Sequence, residues 1–174
     1  MQVGLLDGAY EEARVVETVA SVLHKSRAAG IPVIFVQHDH ATYEPLMPGR
    51  PTWEIDSRLA PREGEPIVHK RASDAFYQTE LASLLEASGV QQLIVTGMQT
   101  EFCVDTTVRA ASSRGFDVIL VSDGHTTGDT ELKAAQIIEH HNSTLANLAQ
   151  PDHPVRVAAA SELKPGDYQV TAGD

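Results

Sequence analysis

The chain holds a single cysteine, Cys103, inside VTGMQTEFCVDTTVRAA at residues 95–111, just past an apolar run that stops at Gly97. One thiol cannot form an internal disulfide and is too few for a thiolate zinc site, so it serves either as a small hydrophobe or as a reagent. Its place is compatible with the reagent. A thiol in the first turn of a helix feels the positive end of the helix dipole, and a nearby ammonium further stabilises negative sulfur. Lys70, closing the short segment VHK, is the candidate ammonium. The backbone N–H groups between Met98 and Cys103 are unpaired donors at a helix start, suited to holding an oxyanion. Plain packing for Cys103 and a surface charge for Lys70 are the competing reading, and these residues alone leave both open.

Such a site needs elements to carry it. Residues 11–29 place Val15, Val19, Val22 and Leu23 at helical spacing, with Gly30 and Pro32 marking the stop. IPVIFVQ at 31–37 reads as a buried strand. A helix capped by Thr79 and ended by Gly89 follows, then strand LIVTG, a helix from about Phe102 to Arg114, strand FDVILVS, a helix over about 130–149 and strand VRVAAA. Short apolar strands alternating with amphipathic helices predict a single domain over 1–174. Its expected fold is a three-layer α/β/α sandwich with a mostly parallel central sheet, Rossmann-like in plan.

Open α/β sheets bind ligands at the carboxyl ends of their strands. That rule gathers Gln37, His38, Asp39, His40, His69, Lys70, the stretch from Gly97 to Cys103, and the stretch from Ser122 to Thr127, which includes His125. Trp53, Tyr43, Phe76 and Phe102 are candidate apolar walls, with core positions as the alternative. Residues 39–66 carry five of the nine prolines without periodicity, which predicts a lid, binding loop or subunit contact.

With 24 acidic against 13 basic residues the formal charge is −11, which excludes phosphate backbones and anionic bilayers as natural partners. No apolar stretch approaches the roughly 20 residues of a membrane span and no signal peptide opens the chain, so we expect a cytoplasmic protein. No phosphate-binding glycine motif is present and no cofactor is expected. A metal is not expected either, and the adjacent His140 and His141 point apart on a helix.

The blocks QVGLLDGAY, VIFVQH, KRASDAF, VTGMQTEFCVDTTVRAA, SDGHTT and IIEHHN together resemble the isochorismatase-like cysteine hydrolases, the group of nicotinamidases, N-carbamoylsarcosine amidases and streptothricin hydrolase. The cysteine block is the most specific of them. The resemblance implies Cys103 as nucleophile, Lys70 as its lysine, a cis peptide between Met98 and Gln99, and an oxyanion hole from the Gln99 and Cys103 amides. It implies a small amide or related C–N substrate, a thioester intermediate and a homo-oligomer, dimer or tetramer. Gln2, His38, Trp53, Phe76, Phe102 and His125 are the expected substrate pocket. True isochorismatases lack a cysteine at this position, so ether cleavage is not expected.

One departure matters. The family aspartate ends an apolar first strand in the pattern Asp-x-Gln, and here Met1-Gln2 fits x-Gln. The aspartate and its strand would stand ahead of Met1, and we expect the natural protein to carry them there. The alternative is a catalytically impaired or non-catalytic binding homologue lacking both. Asp7, the nearest acid downstream, belongs to the family's GLLDG loop instead.

Overall fold

The computed structural model describes residues 1–168. A helical turn α1 (Val3–Leu6) precedes α2 (Glu12–Ala28), in which Val15, Val16, Val19 and Val22 form one buried stripe at helical spacing. The remaining elements alternate as the hydrophobic pattern predicts: β1 (Phe35–His38), β2 (Ile67–Lys70), α3 (Leu81–Ala87), β3 (Gln92–Met98), α4 (Asp105–Ser113), β4 (Asp117–Thr126), α5 (Ala134–Ala146) and β5 (Val155–Ala158). All pairings between these strands are parallel.

β4 shows how the layers arise. Its residues alternate faces, so Val118 and Leu120 join the cluster containing Leu85 of α3, Val108 of α4 and Leu145 of α5. Ile119 and Val121 point the other way and pack with Val22 of α2. Helices therefore cover both faces, and the class is α/β with parallel strands.

The strands do not form one continuous sheet. β1 pairs only with β2, and β3, β4 and β5 form a second sheet in that order. β4, paired on both edges, keeps Val118 to Val121 at no more than 1% exposed, whereas Leu93 to Gly97 of β3 are only partly buried. Among the described residues β3 has no strand neighbour on the side facing β1, which explains the difference.

Element ends shift by a few residues from the sequence reading. The first strand begins at Phe35, whose N–H bonds Pro66 O, and not at Ile31. Thr79 caps α3 from outside it, with its hydroxyl oxygen accepting the Leu81 N–H at 3.3 Å. α5 starts at Ala134 because the Asp129 carboxylate accepts that N–H at 2.9 Å. The proline-rich excursion contains two short 3-10 turns, Glu44–Leu46 and Ser57–Leu59. Among the described residues no helix is long and apolar enough to cross a membrane.

Candidate active site

Lys70 is the last residue of β2, where strand alternation turns Val68 and Lys70 inward while His69 faces out. Only 5% of Lys70 is exposed. An ammonium has three N–H donors and no acceptor. Lys70 directs them at Ala72 O (2.6 Å), His38 Nδ1 (3.0 Å) and Cys103 Sγ (3.1 Å). Of these three partners, only the sulfur can carry a compensating negative charge.

Cys103 is held by a wide turn and not by the first turn of an ordinary helix. Thr100–Val104 is π-helical, with the Val104 N–H bonded to Gln99 O at 3.1 Å, and it runs directly into α4. Single turns of this kind concentrate at functional sites. The sulfur thus still precedes a helix amino end. The Met98–Gln99 peptide before the turn is cis. Thr107 of α4 fastens the other side, its hydroxyl accepting the Ala75 N–H (3.1 Å) and donating to Ser73 O (3.3 Å). This holds the loop that contributes Ala72 O.

His38 ends β1 and brings its ring to Lys70. Burial, then the Lys70 charge, hold its pKa down to about 4, so near neutral pH the ring is uncharged and its Nδ1 lone pair accepts from the ammonium. Gln2 positions this residue. Its buried carboxamide accepts the His38 N–H at 2.8 Å and donates to His38 O (3.0 Å) and Trp53 O (2.8 Å). Trp53 stacks on His69 with centroids 5.7 Å apart, and its indole N–H donates to Asp39 Oδ1 at 2.9 Å.

The six expected pocket residues therefore separate. His38 meets Lys70, and Gln2 and Trp53 form a scaffold around it. Phe76 lines an apolar cavity with Lys70 and Cys103 while stacking on Phe116. Phe102 is 51% exposed. His125 needs correction: it is 1% exposed, with Nδ1 on Thr100 Oγ1 and Nε2 on Asn142 Oδ1, both 2.9 Å. Because Asn142 Nδ2 donates to Ser122 O, its Oδ1 must accept, so His125 carries its proton on Nε2 and Thr100 donates to Nδ1. Burial lowers the His125 pKa in keeping with that neutral ring. His125 anchors the turn that holds Cys103 and offers no free nitrogen to a substrate.

Sequence reasoning missed Ala72 O, Thr107 and the bonding role of Asn142. Only the closeness of KRASDAF to Lys70 pointed to the first. No group of three or more His, Cys, Asp or Glu residues able to hold a metal occurs among the described residues.

The Isochorismatase domain model matches residues 1–150. The chain is 34% identical to a secreted isochorismatase effector of Verticillium dahliae over 75% of this chain and 68% of that protein. It is 38% identical to streptothricin hydrolase of Streptomyces noursei over 68% of this chain, a match spanning only 43% of that protein. Among solved structures, a crystal structure of an isochorismatase-family protein aligns with a TM-score of 0.79 and 33% identity over 87% of each chain. With the domain model spanning most of its length and the fold shared with such structures, the chain belongs to the isochorismatase family.

Proposed function

We propose that the protein is a cysteine-dependent hydrolase of a small-molecule amide or related C–N bond, acting through a thioester. The observation that carries this is the buried Lys70 ammonium 3.1 Å from Cys103 Sγ. A buried cation without a counter-charge costs several kcal/mol, as an order of magnitude, and among the hydrogen-bond partners of Lys70 in the described residues the sulfur is the one that can become an anion. Lys70 then stabilises the sulfur as a thiolate once the thiol proton has been taken.

The thiolate attacks the substrate carbonyl carbon, forming a C–S bond and an oxyanion that the Gln99 and Cys103 amides receive. The C–N bond then breaks, and the nitrogen takes a proton and leaves as ammonia or an amine. Water attacks the thioester, the C–S bond breaks, and the acid departs with the thiolate restored. The reading includes a carboxylate delivered to the Lys70–Cys103 pair to carry these protons, as the family resemblance implies. It also includes one domain over 1–174, a homo-oligomer, and a cytoplasmic location where the thiol stays reduced.

A non-catalytic binding protein is the second reading, favoured by one observation: among the described residues no carboxylate contacts Lys70 or Cys103. Intact-mass analysis during incubation with a panel of small amides and ureido compounds separates the two. The hydrolase reading expects product and an acyl adduct that Cys103→Ala abolishes. Absence of product and adduct across the panel, with a sluggish thiol, establishes the binding reading instead.

A further inference from the structure

The turn that carries Cys103 is wound wider than an α-helix, and this decides where its N–H groups go. In an α-turn each N–H bonds the carbonyl four residues back, so the Cys103 N–H would belong to Gln99 O. Here Gln99 O accepts from Phe102 (3.3 Å) and Val104 (3.1 Å), and among the described residues no bond joins it to the Cys103 N–H between them. The Cys103 amide is thereby released from Gln99 O, right beside the sulfur.

Wide turns are rare, so contacts from outside must hold this one. β4 and the residue just past it supply them at two consecutive positions. Thr100 donates its hydroxyl proton to His125 Nδ1, and Glu101 Oε1 accepts from the Thr127 hydroxyl, both at 2.9 Å. His125 is brought level with the turn by a bulge: Val95 pairs with Leu120 and Gly97 with His125, so two residues along β3 are matched by five along β4. Asn142 of α5 spans that bulge. Its Nδ2 donates to Ser122 O at 3.1 Å, and its Oδ1 accepts from His125 Nε2 at 2.9 Å. Thr100 and His125 are 0% and 1% exposed, so solvent offers no substitute for the bond between them.

We propose that Asn142 and His125 are positioning residues acting through Thr100: they hold the Thr100–Val104 turn in its wide winding, and that winding keeps the Cys103 N–H free for the oxyanion. Relaxation to an α-turn would hand this N–H to Gln99 O and leave the oxyanion with the Gln99 amide alone. Neither residue touches substrate. The effect on catalysis rests on the hydrolase reading above; the hold on the winding does not.

The test compares the native protein with Thr100→Val, which removes the hydroxyl at nearly constant shape, Thr100→Ser, which keeps it, and Asn142→Leu, each shown to be folded by circular dichroism. Residue-resolved hydrogen exchange should find the native Cys103 amide exchanging at least about tenfold faster than that of Val104, with the difference lost in Thr100→Val and Asn142→Leu and retained in Thr100→Ser. Loss of an oxyanion donor costs about 10²–10³ in kcat, so Thr100→Val should lower kcat for amide hydrolysis at least about tenfold, with KM within about threefold. Iodoacetamide alkylation displaces iodide from carbon and builds no oxyanion, so it should slow by less than about threefold, and Thr100→Ser should restore kcat. Native Cys103 and Val104 amides that exchange equally slowly, or a difference that survives in both Thr100→Val and Asn142→Leu, overturns the hold on the winding. Loss of the exchange difference with kcat unchanged, or kcat and alkylation falling in step, overturns its catalytic role while leaving the hydrolase reading in place. If the native protein hydrolyses no amide, the hydrolase reading and the catalytic role fail together, and the exchange rates still decide the winding.

Discussion

Replacing Gln2 by leucine removes three hydrogen bonds from a side chain only 3% exposed, and the partners decide the cost. Trp53 O stays satisfied, because Gln37 Nε2 also donates to it at 2.9 Å. The His38 N–H and C=O lose their partner. Two orphaned backbone groups at about 1–2 kcal/mol each give a loss of about 3 kcal/mol, which for a chain of this length lowers Tm by about 6–12 °C. Gln37→Leu is the control. It removes one bond to an acceptor that keeps Gln2, so it should cost about 1 kcal/mol. Urea and thermal unfolding of both variants measure the difference. Because Gln2 seats His38, and His38 accepts from Lys70, Gln2→Leu should also slow Cys103 alkylation in the folded protein. A Gln2→Leu cost no larger than that of Gln37→Leu would refute the claim that Gln2 holds the end of β1.

Asn142→Leu leaves His125 Nε2 and Ser122 O without partners and should destabilise by about 2–4 kcal/mol by urea unfolding, while Asn142→Asp, which still accepts from His125, should lose less. For His38, the folded ring binds its proton only near pH 4 whereas the unfolded ring does so near 6.5, so the unfolded state holds more protons between them. Its effect on stability is absent above about pH 6.5 and grows as a loss while pH falls toward 4. For a half-buried ring we expect about 1–2 kcal/mol, seen as a flatter pH dependence in His38→Gln. Gly124→Ala places a Cβ 2.9 Å from Val121 Cγ1 and 3.1 Å from Thr96 Cγ2, which should cost about 1–3 kcal/mol by overpacking and lower Tm in a thermal melt.

Helix-terminus chemistry raised Cys103 and Lys70 as candidates, the family resemblance was needed to prefer them over packing and a surface charge, and periodicity was enough for the alternating elements. What escaped depends on contacts distant in sequence. TEFCV has the composition of an ordinary helical turn, and its wider winding follows from bonds that Val104 and Asp105 make back to Gln99 and Thr100. His125 looked like a pocket residue because the strand was expected to stop at Ser122. β4 continues to Thr126, carrying His125 inside, where Thr100 and Asn142 close on both ring nitrogens. The opening between β1 and β3 is a property of strand pairing, which no single apolar run discloses.

The central claim is that Lys70 makes Cys103 a standing nucleophile, and the alkylation rate of Cys103 measures this most directly. Iodoacetamide modification near neutral pH, followed by intact mass, should run well faster in the native protein than for free cysteine. Lys70→Met, which keeps the apolar stem and removes the ammonium, should slow it by at least about tenfold with the fold retained by circular dichroism. Equal rates for the native protein and folded Lys70→Met, or a native thiol slower than free cysteine, would contradict the account.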